Sequence, residues 1–260
     1  MVDVAIVAVA GDLTTTTAVA LAAGWPVTDD TILVEADPTG GDLAAWFDLP
    51  VTPSLSTVVT RVLDGAWPDI EQHTRLAHNG LRLVPAPARA AESAQAVGES
   101  ARSLVPSLAA LRSPVTIADV GRLPATPASH PFVGAAAVVV LVHRQATQSA
   151  RAAAVRLQRL AEQLAALAVS PAPVVVAVAG AQPFDLAEIE RFLADADATA
   201  ATSLVGLPDD PLTAAVFAGR TGVSARRLGR LPLVRASRDL AEVVERFLVP
   251  ASGGLWRTAR

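Results

Sequence analysis

Short, solidly apolar runs recur along this sequence: Val4–Val9, Thr31–Glu35, Leu81–Val84, Val115–Asp119, Ala136–Val142, Pro173–Ala179 and Ser203–Val205. They are rich in valine and isoleucine and do not alternate with polar residues. Each therefore suits a strand covered on both faces, as in a parallel sheet. Helical patterns lie between them. Arg144–Ala168 carries Val155, Leu157, Leu160, Leu164 and Leu167 on one side, leaving Arg151, Arg156, Arg159 and Glu162 for the rest of its circumference. Asp185–Ala196 and Arg238–Leu248 read in the same way, the latter with Leu240, Val243, Val244, Phe247 and Leu248 as an inner face. The alternation predicts an α/β fold, a doubly wound, mostly parallel sheet of about seven strands with helices on both faces. It also predicts one domain over residues 1–249 and a loose tail over 250–260.

Composition narrows the function classes. Hydrophobic residues make up 52% of the 260-residue chain and charged ones 18%, enough for a substantial core and too apolar for disorder. The apolar run at 135–142 is too short to cross a membrane. Acidic Asp3 stands where an export signal would be positive, and there is no cysteine. The cytoplasm, with an option of peripheral attachment to a membrane-associated machine, is the expected location. The net charge of −4 argues against bulk nucleic-acid binding. All 21 basic side chains are arginines; there is no lysine.

Residues 4–21 read VAIVAVAGDLTTTTAVAL, an apolar strand, a break at Gly11, then four threonines entering an alanine-rich helix. Phosphate loops share this strand–turn–helix plan, because the first amides of the helix lack intrahelical acceptors and can cradle an anion. A functional loop reads G-x-x-x-x-G-K-[ST]. Counted from Gly11, its second glycine falls on Thr16, its lysine on Thr17 and its hydroxyl residue on Ala18. The candidate loop residues are Gly11, Thr14, Thr15 and Thr16, and the plainer reading of the threonines is an N-cap hydroxyl with helix-packing methyl groups. Two more polar signals fall at strand carboxyl ends, where open parallel sheets gather ligands. Glu35 and Asp37 lead into Gly40-Gly41, and Asp119 precedes Gly121. Two acidic strand ends beside a threonine-rich helix start could hold a hydrated Mg²⁺ and an attacking water. Asp37 before Pro38 also reads as a turn former, and Asp119 as a cap for a neighbouring turn.

Several segments together resemble the ParA/MinD-like ATPases, a branch of P-loop proteins serving chromosome partition, division-site placement and the positioning of pilus or secretion machines. LVEADPTGGDLAAWFDLPVTPSLSTVV is similar to their D-x-D-P segment and its continuation, VTIADVGRL to their Walker B strand, and VGLPDDPLTAAVFAGR to the segment after their last core strand. The resemblance runs from Val4 to about Leu248. It implies that Asp37 matches the water-positioning carboxylate, that Glu35 replaces the usual first aspartate, and that Asp119 matches the Walker B aspartate of the Mg²⁺ shell. Thr15 or Thr16 would supply the metal-binding hydroxyl.

The departures from that family carry the functional reading. The family loop, K-G-G-x-G-K-[ST]-[ST], uses two lysines, and this chain has none. Only Gly11 remains of its glycines, so amides cannot wrap a phosphate chain closely. Asp12 adds negative charge; two like charges about 4 Å apart repel by roughly 4 kcal/mol at an effective dielectric near 20. Arg122 and Arg144 are the candidate replacement cations, with surface or ion-pair roles as the plainer reading. The expected function is a catalytically degenerate, non-hydrolysing protein-binding or positioning module, with no cofactor and with a protein partner that could be an active relative or a second copy. Two rivals stay open. One is an ATPase with an atypical loop, using Asp37, Asp119, ATP and Mg²⁺. The other is a DNA-partition factor using the basic cluster Arg220, Arg226, Arg227, Arg230, Arg235 and Arg238, which could also touch an acidic partner or anionic lipid, with a solvated face as the plainer reading. The acidic residues Asp239, Glu242 and Glu245 favour docking of the last helix on its own core over lipid. His73, His78, His130 and His143 lack ligand spacing, and no G-x-S-x-G turn supports a hydrolase.

Overall fold

The computed structural model describes residues 6–26, 31–63, 73–77, 80–110, 114–145, 149–198, 200–221 and 225–248. Its strands are β1 (Ile6–Gly11), β2 (Thr31–Glu35), β3 (Arg75–Leu76), β4 (Arg82–Val84), β5 (Val115–Gly121), β6 (Val138–Arg144), β7 (Val174–Ala179) and β8 (Ala201–Leu207). They form one sheet in the order β3-β4-β2-β5-β1-β6-β7-β8. Every pairing is parallel except β3 with β4. The eighth strand is two-residue β3, too short to leave a periodic signal in the sequence. The chain crosses from β1 to β2 on one flank and later to β6 on the other, so strand order reverses beside β1 and β5.

Successive residues of each central strand feed opposite cores. Val7, Val9, Leu33, Ile117 and Val140 enter a core closed by the helices Thr14–Gly24, Pro211–Phe217 and Pro232–Leu248. Ile6, Ala8, Val34, Ala118 and Leu141 enter the other, closed by Leu55–Leu63, Ala90–Ser100, Leu104–Ala110, Ala150–Leu167 and Leu186–Asp195. This double burial explains why the runs are apolar throughout.

The long helix after β6 buries Ala153, Leu157, Leu160, Leu164 and Leu167. The expected Val155 is instead 43% exposed; two residues beyond Ala153, it is rotated by roughly 200° around the helix. Ser149 caps this helix by accepting from the Ala152 N–H. The last helix begins at Pro232, earlier than Arg238, and docks on the first. Buried Ser237 shares its hydroxyl proton between the carbonyls of Ala20 (2.6 Å) and Val234 (2.9 Å). Its inner face is Leu240, Ala241 and Val244, with Val243, Phe247 and Leu248 half-buried beside them. The expected tail, 250–260, lies outside the described residues.

Gln145 fixes the carboxyl end of β6 to the segment after β7. Its Nε2 donates to the carbonyls of Gly180 and Phe184, both at 2.8 Å, and its Oε1 accepts from the Phe184 N–H at 3.0 Å. Truncation strands three backbone groups in a part-buried setting, so Gln145→Ala should cost about 2–4 kcal/mol in urea denaturation. A loss below about 0.5 kcal/mol would show that water replaces the amide there without penalty.

Candidate functional site

Strand β1 ends at Gly11 and the first helix begins at Thr14, leaving Asp12 and Leu13 as the whole turn. The Asp12 N–H donates to the Val142 carbonyl at 2.9 Å, so even the first turn residue is tied to the sheet. Gly11 holds φ +109°, and a Cβ there would lie 2.3 Å from the Val142 carbonyl oxygen. Only glycine fits both demands. Leu13 turns the chain in the left-handed region (φ 50°) and occupies the N-cap position without a side-chain cap. The expected threonine cap is therefore corrected: Thr14 is already helical, and Thr14, Thr16 and Thr17 are buried. Thr17 donates to the Leu13 carbonyl at 2.9 Å, whereas the amides of Thr14, Thr15 and Thr16 have no acceptor among the described residues.

Asp119 lies one strand away, with its Cα in register with Val9 of β1 and Glu35 of β2. Its carboxyl is fully buried. Oδ1 accepts from the Gly121 N–H at 3.2 Å, while Oδ2 has no hydrogen-bond partner. The Thr15 and Thr14 hydroxyls lie beside the carboxyl and favour its charged form without satisfying Oδ2. Of Thr15 and Thr16, the two residues that the resemblance left open, Thr15 lies against Asp119.

The two carboxylates after β2 diverge. Glu35 is buried and turns away from the first helix. Its Oε1 accepts from the N–H groups of Asp42 (2.7 Å) and Leu43 (3.0 Å), and its Oε2 from Ala86 (2.9 Å). It ties the loop after β2 to the segment after β4, a structural task. Asp37 does form the expected turn, its Oδ1 accepting from the Thr39 N–H and hydroxyl, both at 2.7 Å. It also faces the neighbouring strand end. A Cβ on Gly121, which has φ +71°, would lie 2.1 Å from Asp37 Oδ2. Gly121 thus lets the ends of β2 and β5 close on each other, a role the sequence did not reveal.

These elements border a cleft of about 570 Å³ lined by Gly11–Thr16, Asp37, Thr39, Trp46, Gly121 and Arg122. Asp12 lies on its wall with Oδ2 turned to the Arg144 N–H (3.1 Å) and the Arg156 guanidinium (3.3 Å). Arg144 spends its own guanidinium on Asp209, at 2.8 and 2.9 Å, and is not a free cation. Arg122 is exposed on the lining. From the basic cluster, Arg220 borders a separate hollow of about 310 Å³ with Leu13, Trp46 and Pro208. Arg227, Arg230 and Arg235 are exposed, Arg238 donates to the Gly229 carbonyl, and Arg226 falls in the turn of helix Ala225–Leu228.

Of the histidines, His130 sets Nε2 3.0 Å from the Ala36 carbonyl, and burial holds its pKa down. His143 is buried and pushed down to about 4. His78 lies outside the described residues. No group of three or more His, Asp or Glu side chains is arranged to hold a metal among the described residues. None of the described helices is long and apolar enough to cross a membrane.

No protein-family model matches the sequence, and no curated protein does. Solved structures do match in shape. The chain is similar to a McdA variant from Cyanothece in complex with ATP, at 15% identity over 94% of this chain and 98% of that one, with a TM-score of 0.63. It is similar to a ParA family ATPase from Chlorobium tepidum, at 14% identity over 92% and 98%, TM-score 0.64. It is also similar to the Aquifex aeolicus MinC:MinD cell division complex, at 15% identity over 95% and 98%, TM-score 0.60. The fold is that of the ParA/MinD ATPases.

In this ParA/MinD fold burial lifts both strand-end carboxyls above the ordinary carboxylate range. Burial pushes Glu35 up to about 7, with the Ala86, Asp42 and Leu43 amides opposing it and the charge of Asp119 adding to it. Burial likewise pushes Asp119 up to about 6, against the Thr15 hydroxyl and the Gly121 amide and with the charge of Asp37. A carboxyl with a raised folded pKa binds more protons folded than unfolded. Its stabilising protonation is fully present below the unfolded pKa and is lost as pH climbs towards the folded one. The melting temperature should therefore fall between about pH 4 and pH 7, and Asp119→Asn should flatten that decline and stabilise the protein at the alkaline end. An unchanged slope in Asp119→Asn would contradict this account.

Proposed function

We propose that this chain is a catalytically degenerate ParA/MinD-like protein, a non-hydrolysing module that binds or positions a protein partner. The observation that carries the reading is the two-residue turn between Gly11 and Thr14. A triphosphate needs a loop of free amides and a cation at the helix start. Here the Asp12 amide is bound into the sheet, Gly11 is pressed against the Val142 carbonyl, and Leu13 stands immediately before the helix. The residues present do not fit a triphosphate chain. Asp37, and Asp119 with Thr15, keep the places of a water positioner and of a Mg²⁺ shell, without the phosphate groups that would give them a reaction. The pairing of Arg144 with Asp209 further weakens the ATPase alternative.

Structural neighbours of this fold include MinD in complex with MinC and a plasmid partition protein from Borrelia burgdorferi. A protein partner at a partition, division, pilus or secretion machine, or a second copy, is the corresponding role for this chain. Calorimetric titration with ATP and Mg²⁺ tests the reading. The expected result is no saturable heat up to millimolar nucleotide and no phosphate release; micromolar affinity, or turnover abolished in Asp37→Ala, would overturn it.

A further inference from the structure

The two edges of the sheet are guarded differently. At one edge β3 is two residues long and carries Arg75, too short to template another strand. At the other, β8 runs for seven residues, ATSLVGL, with no charged side chain and no proline. Among the described residues it has a neighbour on one side only, β7. A bulge at its start makes Thr202 an extra residue, whose Oγ1 accepts from the Val174 N–H at 3.1 Å. From Ser203 to Leu207 the register then runs unbroken.

The two-residue period of a strand decides which backbone groups face outward. The Leu207 carbonyl accepts from the Gly180 N–H at 2.9 Å, so Leu207 turns its backbone towards the β7 side, and Val205 and Ser203 do the same. The N–H and C=O groups of Leu204 and Gly206 therefore point away from the sheet, and neither residue makes another backbone bond among the described residues. Gly206 is exposed. The fold itself does not require glycine there, since its φ is not left-handed and an added Cβ would meet Leu186 Cδ1 at 3.4 Å, an ordinary contact. Glycine inside a strand weakens it, and it often marks a place where another backbone comes close. A groove lies along the same edge. Leu204 packs on the face covered by the helix Leu186–Asp195, while Val205 and Leu207 fill the opposite core. Between that helix and β8 is a hollow of about 660 Å³ lined by Leu193, Ala198, Leu204 and Glu190. Leu186 borders both this hollow and a second one of about 390 Å³ beside Gly206 and Phe184. Glu190 is exposed and forms no ion pair among the described residues.

We propose that β8 is a docking edge for an extended segment of a protein partner. The segment adds to the sheet as a further strand, bonds through its backbone to Leu204 and Gly206, lays alternate apolar side chains over the groove and sets a basic residue beside Glu190. In such strand addition the main-chain bonds give affinity and the pockets for alternate side chains give specificity. A second copy of this chain is the poorer occupant, because ATSLVGL brings no cation to Glu190 and the pairing would leave two such carboxylates without partners. The proposal rests on the reading of the chain as a protein-binding module and names the surface and the partner chemistry.

A displayed library of random short peptides, selected against the full chain at low salt, is the probe. Enriched sequences should alternate apolar and polar residues and carry an arginine or lysine. An enriched peptide, made free of its display, should slow hydrogen exchange at the Leu204 and Gly206 amides, and N-methylation of its alternate amides should weaken binding at least about tenfold. Gly206→Pro removes the outward N–H at a place where an edge strand tolerates proline, and it should weaken binding to a similar degree. Circular dichroism checks that this variant is folded, and the N-methylated peptide tests the same bonds in the unaltered protein. Glu190→Gln should weaken binding about two- to fivefold at low salt. No enriched sequence, protection confined to other amides, or affinity indifferent to N-methylation overturns the proposal. A dimer in sedimentation that Gly206→Pro dissolves also overturns it, by naming a second copy as the occupant. The ATP titration separates the two readings. Failure to select a peptide defeats only this inference, whereas micromolar ATP binding defeats the degenerate, non-hydrolysing reading and leaves peptide binding at β8 to stand or fall on its own result.

Discussion

Because helices seal both faces of the β1–β2–β5 core, polar groups on those strands can meet water or a ligand only at the carboxyl edge. Glu35 and Asp119 stand at that edge, Cα beside Cα. Their fates differ through what surrounds each oxygen. Three backbone N–H groups converge on Glu35 and make it an internal tie between two loops. Asp119 receives one amide and keeps an oxygen free beneath the cleft. The same residue class at adjacent register positions thus yields one structural and one unsatisfied carboxyl.

The strands were legible in the sequence because double burial turns them into unbroken apolar runs. Val115–Asp119 and Pro173–Ala179 lie within a residue or two of β5 and β7. Strand β3 was not legible, because two residues held by a hairpin pairing carry no period. The long helix was legible in position and misread at Val155, where apolar character stood in for phase. At the site, Asp37 and Asp119 could be placed beside the threonine-led helix start from strand-end position, whereas Thr15 was one of two threonines, with Thr16, that the family resemblance implied. Counting forward from Gly11 misplaced the loop, since a shortened turn and a substituted one read alike when only residue letters are compared. Thr39, Trp46 and the closeness of Gly121 to Asp37 depend on how two loops fold back, which no local pattern encodes.

A phosphate loop usually owes its shape to glycines that let the chain stand clear of the sheet. Here Asp12 bonds to Val142 and Leu13 reverses the chain in a left-handed conformation, so the helix starts almost directly from the strand. A non-glycine residue in that conformation costs on the order of 1 kcal/mol, and burial of the first helix against the last offsets it. Gly24 lies against Ser237, and Leu21, Leu240 and Val244 are fully buried in the shared core. The helix is held by its flank, and its start does not need an anion to complete it.

That mechanical independence separates scaffold from chemistry. Where a helix terminus depends on a bound phosphate, losing the phosphate unsettles the helix; here Asp119 supplies the negative charge from inside the sheet. The same carboxyl, buried and short of a donor, then sets the electrostatic character of the cleft above it.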